Sequence, residues 1–350
     1  MFIDPHVHCR DENEKKKDTI AHSLYVAEQA GATAIFDMSN STPPVLSVEA
    51  ANRRIALAEQ AKSKVWYGLH FGIIPDEKVL DAAVYAHEKI KRVVGAKMFA
   101  AHSTNNMGVT SEEGQRQCYR GLAKRKFKGT LVLHCEEEPL IDSKKFDYKK
   151  PWTHCLARPP ESAVESVRRQ IKYAREEGYA GHLHIAHVSV PEEVYLIDEA
   201  RKKLKISCGI TPHHHFLCEE DMHAEDGLLL KMNPPLRPKE MMLEMQRLLR
   251  AGKIDNIESD NAPHTLEDKT SEEKKSFASG IPSLPAMPRF ILWMYVNNFP
   301  EKQILDLSFN NVCNIYRMYF VPRADASISR IAAETLVKEY PFDPFKKSNF

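Results

Sequence analysis

Neither sign of charge is in excess in this chain. Its 350 residues carry 49 Lys and Arg against 48 Asp and Glu, for a net charge of +1. Composition therefore gives no support to nucleic acid or an anionic membrane surface as a partner. No apolar run approaches the roughly 20 residues that a membrane span needs. No basic stretch followed by an apolar one opens the chain, so a secretory leader is not expected and the cytoplasm is the expected compartment. The seven cysteines are odd in number, widely spaced and without a CxxC pair. A zinc ribbon or a redox motif has no support, and reduced thiols are the expectation. There is no repeat on the scale of about 20–50 residues. No GxGxxG follows the first apolar run, which argues against dinucleotide binding, and no Pro/Gly/Ser-rich linker marks a domain boundary.

What is present is a rhythm. The chain is 43% hydrophobic and 28% charged, the balance of a soluble globular protein with a large core. Short runs rich in Val, Ile, Phe and Leu, at 2–8, 33–38, 64–72, 93–99, 130–135, 182–188, 205–211 and 254–260, read as strands. Amphipathic stretches at 18–29, 48–63, 77–91, 111–125, 162–176, 191–203 and 239–251 lie between them, and an eighth at 285–298 follows the last. Eight strands alternating with eight helices predict a closed parallel (β/α)8 barrel of the TIM type over residues 1–322, with an open doubly wound sheet as the alternative. Residues 323–350 are expected to form a C-terminal helix and a poorly packed end, with little or no accessory β-sandwich. Two long connections, 136–161 and 212–238, are of a length that usually serves function.

The reactive residues fall at particular places on this rhythm. His6 and His8 end the first strand, and residues i and i+2 of a strand share a face. Two imidazoles are thus offered side by side, as a metal ion requires. Lys97, His134, His187 and Asp260 close strands four, five, six and eight, where parallel barrels carry their active sites. A lone histidine at a strand end is most often an ordinary polar residue, and His70, His102, His154 and His184 are read that way. His213–His215, at the mouth of strand seven, could support ligands from behind. Protonated Lys97 has no lone pair to give a cation. Desolvated, its neutral amine can add carbon dioxide and become a carbamate able to bridge two metals; a structural ion pair is the other reading.

These residues resemble the amidohydrolase superfamily in its dihydroorotase branch. The resemblance runs through Asp4-Pro-His-Val-His-Cys-Arg10, Asp37-Met-Ser-Asn-Ser-Thr-Pro-Pro44, Lys97, His134-Cys-Glu136 and His184-Ile-Ala-His187. It continues through Thr211-Pro-His-His214, Met232-Asn-Pro-Pro-Leu-Arg237 and Ser259-Asp-Asn-Ala-Pro-His-Thr265. It implies two divalent metal ions, zinc by expectation. His6, His8, Asp260 and a carboxylated Lys97 would hold one; His134, His187 and the same carbamate would hold the other. A hydroxide bridging the metals would open the cyclic amide of dihydroorotate to N-carbamoyl-L-aspartate, reversibly, with Asp260 as general acid and base, in the de novo construction of pyrimidines (UMP).

Arg10 points to the ligands' side of strand one and suits the substrate carboxylate as a two-pronged donor. By resemblance, Asn40 and His264 are further carboxylate contacts and Asn233 a contact to the ring. Pro282 and Ser283 would offer backbone groups, and Thr104 would close over substrate from a polar loop at 101–110. A homodimer is expected, and the resemblance leaves open an aspartate transcarbamoylase partner. Two alternatives stand beside this reading: a dihydropyrimidinase, hydantoinase or allantoinase, and an inactive scaffold subunit that has lost its metals.

Overall fold

A computed structural model of the chain describes residues 1–103, 106–273, 277–326, 328 and 334–346. The expected (β/α)8 barrel forms. Strands β1 (Phe2–Val7), β2 (Ala32–Asp37), β3 (Trp66–Gly72), β4 (Val93–Phe99), β5 (Thr130–His134), β6 (His182–Ile185), β7 (Ile206–Ile210) and β8 (Asn256–Ile257) lie in sequence order. Each pairs in parallel with the next. Closure between β8 and β1 is made by a parallel bridge from Val7 to Asn261 and by the Asp4 carboxylate, which accepts from the Ser259 N–H at 3.0 Å.

Helices α1 (Ile20–Gln29), α2 (Val48–Gln60), α3 (Glu77–Lys89) and α4 (Glu112–Lys124) cover the first half of the barrel. Their starts follow from the sequence: Thr19, Ser47, Asp76 and Ser111 each accept an N–H of the first turn. Beyond β5 come α5 (Thr153–Ala157), α6 (Pro160–Glu176), α7 (Pro191–Ala200), α8 (Pro212–Phe216) and α9 (Lys239–Arg250). Proline at the first position of α6, α7 and α8 suits an N–H that no helical bond would use. After β8 follow α10 (Leu266–Thr270) and α11 (Ala286–Val296). Among the described residues, no helix is long and apolar enough to cross a membrane. All seven cysteines are free thiols.

Strands buried on both faces read as near-continuous apolar runs, as parallel sheets do. Their outward side chains meet the helices, where each fully buried Leu, Ile or Phe contributes about 1.5–3 kcal/mol. Two features depart from expectation. Helices α12 (Glu301–Leu305) and α13 (Asn311–Tyr316), joined by a π-turn over Asp306–Asn310, close the bottom of the barrel. Phe309, Val312, Ile315 and Tyr316 pack there on Ile3, Phe36 and Val132. The tail is also anchored in part: among its described residues, Leu336 and Tyr340 join the main core, and Phe345 joins a further cluster with Met222 and Leu230. Regularly placed large apolar side chains anchor a segment whose charge suggested solvent.

One buried ion pair ties α2 to the sheet. Arg54, 1% exposed, donates to Asp37 Oδ2 through Nε and Nη2 at 2.9 and 2.6 Å, and Tyr67 donates to the same oxygen at 2.6 Å. Removing one partner strands a buried charge. Arg54→Met is expected to lower unfolding stability by about 3–5 kcal/mol. The exposed neighbouring pair of Arg53 with Glu12 should be worth under about 1 kcal/mol. Urea unfolding of Arg54→Met and Arg53→Met measures the contrast; equal midpoints would refute it.

Candidate active site

The mouth of the barrel brings the six candidate ligands together. His6 Nε2 and His8 Nε2 face Asp260 Oδ1 at 3.4 and 3.0 Å, and one donor atom from each of the three lies within 4.8 Å of the others. Across the same space His134 Nδ1 faces His187 Nε2 at 3.2 Å. The His6 and His187 rings are 5.1 Å apart and connect the two groups. Lys97 enters from β4, fully buried, and its Nζ has no hydrogen-bond partner among the described residues.

Backbone strain concentrates here. His187 and Asp260 sit just past β6 and β8 with φ of 43° and 48°. Side chains bearing Cβ atoms rarely adopt this conformation, and such outliers cluster at functional sites. It turns both side chains inward at the point where a strand would carry them onward.

The donor set fits a divalent metal. Nitrogen and carboxylate donors converge, as zinc-type ions prefer. Burial keeps two of these imidazoles unprotonated: it lowers the His6 pKa to about 4, with Lys97 adding to the effect, and takes His187 well below the usual range. Burial also pulls the Lys97 ammonium down to about 8, so a reactive neutral amine is accessible near neutral pH. Supporting groups aim the rings. His8 Nδ1 meets Asn40 Oδ1 at 2.8 Å, and His134 Nε2 meets Glu136 Oε2 at 2.9 Å. Each partner holds one ring nitrogen and leaves the other facing the cluster. Glu136 is fixed in turn by Arg158, which donates to both its oxygens at 2.9 and 2.6 Å.

Above the cluster lies a cavity of about 640 Å³. Arg10, Asn40, Asn233 and His264 all line it. Arg10 Nε donates to Pro263 O at 3.1 Å and Nη2 meets His264 Nε2 at 3.0 Å, so the two form one wall in which Arg10 carries the positive charge and burial keeps the His264 imidazole neutral. Asn40 stands on the cavity wall with its carbonyl oxygen 2.8 Å from His8 Nδ1 and its amide 3.5 Å from Ser103 Oγ. Asn233 Oδ1 lies 2.9 Å from His154 Nε2, which gives that histidine a supporting part. Pro282 and Ser283 do not line the cavity. The Ser283 N–H is taken by Asn261 Oδ1 and its hydroxyl by Ser259 O, because the segment is busy bracing β8. Ala278, Ser279 and Gly280 line the cavity instead. Thr104 lies outside the described residues.

Sequence reading passed over Arg158 and Lys17, which also line the cavity, and Glu136 behind them. Glu136 had a signal, being two residues past His134 on the same face. Arg158 had none, since a long loop does not reveal which of its cations turns inward.

No family model matches the chain. It is 31% identical over 326 residues to the dihydroorotase of Methanosphaera stadtmanae, covering 91% of this chain and 70% of that one. It is 28% identical over 345 residues to the dihydroorotase of Fusobacterium nucleatum, covering 98% and 79%. Among solved structures it resembles L-hydantoinase (dihydropyrimidinase) from Arthrobacter aurescens, with a TM-score of 0.79, 23% identity, and 91% and 71% coverage. It also resembles dihydroorotase from Campylobacter jejuni, with a TM-score of 0.68, 19% identity, and 91% and 84% coverage. The structural likenesses show the barrel fold.

Proposed function

The chain belongs to the dihydroorotase family and is a cyclic amide hydrolase, and from that premise we propose that its substrate pair is dihydroorotate and N-carbamoyl-L-aspartate, in the making of pyrimidines. The observation that carries this reading is the wall of Arg10 and His264 in the same cavity as the histidine cluster. A guanidinium beside the reacting centre selects a cyclic amide that bears a carboxylate. His6, His8 and Asp260 would hold one divalent cation and His134 and His187 a second, with Lys97 as a carbamate between them. Two such cations supply Lewis acidity toward the amide carbonyl and a water acidic enough to attack near neutral pH.

The chain's own residues do the rest. Arg10 orients the substrate through its carboxylate, which fixes the ring amide over the cluster. Asp260 is ionised in the ground state: burial opposes this, but the imidazoles of His6, His8 and His213 outweigh it. It can therefore accept the proton of the attacking water and return it to the ring nitrogen as the C–N bond breaks. One water is consumed: one of its protons ends on the ureido nitrogen, the other leaves to solvent as the new carboxyl group ionises, and Asp260 is restored. Asn233, held by His154, lies on the wall where the ring would sit. The assembly is proposed as a homodimer working in the cytoplasm.

The test is a substrate panel. For dihydroorotate, kcat/KM is expected to exceed that for dihydrouracil, hydantoin and allantoin by at least about a hundredfold, because a site built around a charged group rejects analogues without it. A preference for dihydrouracil or hydantoin would overturn the assignment and favour a dihydropyrimidinase.

A further inference from the structure

Beneath the histidine cluster a second carboxylate stands inside the barrel. Glu258 follows β8 and is fully buried. Its Oε1 accepts from the His187 backbone N–H at 2.6 Å and lies 3.6 Å from His6 Nδ1. Its Oε2 faces His184 Nε2 at 3.0 Å and Asn256 Nδ2 at 3.3 Å. A buried carboxylate is costly unless paired and hydrogen-bonded. Among the described residues, the ion-pair contacts of Glu258 are with His6 and His184.

Those histidines have settled roles. His184 Nδ1 meets Ser207 Oγ at 2.8 Å, and that oxygen meets His182 Nε2 at 2.8 Å. With His182 donating to Ser207, and Ser207 to His184, every member is satisfied while neutral and His184 presents an N–H to Glu258. His6 is different. Its Nε2 looks into the cluster, and its buried Nδ1 has no partner within hydrogen-bond distance among the described residues. The nearest carboxylate oxygen on that side is Glu258 Oε1. The backbone is shaped around this group: a Cβ on Gly209 of β7 would stand 2.5 Å from the Glu258 carboxyl carbon. A real Cβ essentially never sits so close, so glycine there is what leaves room for the carboxylate.

We infer that Glu258 is a positioning residue for the metal centre: it holds His6 with Nδ1–H inward and Nε2 toward the cation, and it pins the His187 backbone in its left-handed turn. The inference rests on the metal-centre part of the proposed function. The negative charge is compensated when a cation binds, since a metallated imidazole polarises its distal N–H toward a carboxylate. Glu258 thereby couples β1, β6 and β8 at one point, and both halves of the cluster depend on it.

The experiment titrates zinc chloride into chelator-stripped protein against a competing zinc-binding dye, for wild type, Glu258→Gln and Gly209→Ala. Glu258→Gln keeps the shape and removes the charge; Gly209→Ala keeps the charge and displaces it. Each is expected to weaken zinc affinity about 10- to 100-fold, with the melting temperature of the stripped protein close to wild type. Dihydroorotate KM should be nearly unchanged and kcat lowered. Zinc affinity of Glu258→Gln within about twofold of wild type would overturn the inference, as would a loss confined to stripped-protein stability. Should Glu258→Gln not fold, Gly209→Ala decides by the same affinity criterion. Failure of wild type itself to bind zinc would instead overturn the metal centre on which the inference stands, and the two failures are thereby distinguished.

Discussion

Lys97→Ala is expected to give a folded protein that retains neither bound metal nor amide hydrolysis above background. The reasoning begins with cost. An ammonium fully enclosed by protein and without a hydrogen-bond partner is among the least favourable groups a fold can carry. Burial lowers its pKa to about 8, which reduces the penalty without explaining why the residue is there. Carbon dioxide addition does explain it. The ammonium would lose one proton, its neutral amine would form an N–C bond to carbon dioxide, and a second proton would leave to solvent, so that the cation becomes a bidentate anion beside His6, His134, His187 and Asp260. Such a group satisfies the imidazole-rich site only with cations bound. Metal analysis of freshly purified, unchelated wild type should find about two divalent ions per chain. Lys97→Ala should lose most of this metal, with kcat/KM down by at least about 10³-fold, the scale of removing a preorganised electrostatic group. A metal-replete and active Lys97→Ala protein would falsify the carbamate.

The barrel was readable from sequence because each strand is a compact apolar run and each outer helix begins at a capping residue or a proline. Periodicity and caps are local signals, and the eight strands and the longer helices α1–α4, α6, α7, α9 and α11 announce themselves by one or both, whereas the five-residue α5, α8 and α10 fall in stretches without a helical period. The bottom closure did not. The π-turn over Asp306–Asn310 adds a residue to a turn, so Ile304, Phe309, Val312 and Tyr316 fall out of the 3.6 period that marks a helix. The six candidate ligands were readable because position at a strand mouth and residue type agreed.

Their supports were not equally visible. Asn40 bonds a ligand 32 residues away in sequence, and no local pattern distinguishes such a contact from a contact to substrate. Glu258 sits two residues before Asp260 in the run that reads as the eighth strand, a signal that could have been used. Its meaning depends on Gly209, on another strand. The positive φ of His187 and Asp260 is invisible in sequence altogether, since neither residue type demands it.

Arg10→Ala should separate substrate choice from chemistry. Arg10, Asp11 and Glu12 all have positive φ, of 54°, 76° and 49°. This strained run is held by the Asp11 carboxylate, which accepts from the Glu12 and Ile20 N–H groups at 2.6 and 3.0 Å. Strain of this kind persists only where surroundings enforce it, and here it delivers a guanidinium, 5% exposed, to the cavity wall. Nε and Nη2 are occupied by Pro263 O and His264, which fixes the plane of the fork before substrate arrives. Losing one partner of a desolvated charge pair costs about 2–5 kcal/mol, so KM for dihydroorotate should rise about 30- to 4,000-fold. Bound metal should be unchanged, and the slow turnover of dihydrouracil, which has no carboxylate to lose, should change by less than about threefold. Arg10→Lys should recover little, because a point charge on a flexible stem cannot meet Pro263 O, His264 and a carboxylate at once. Unaltered dihydroorotate kinetics in Arg10→Ala would move carboxylate recognition to another cation of the cavity, with Arg158 and Lys17 the residues to examine. A parallel loss on dihydrouracil would show instead that Arg10 shapes the site as a whole, and substrate choice would then have to be sought elsewhere on the wall.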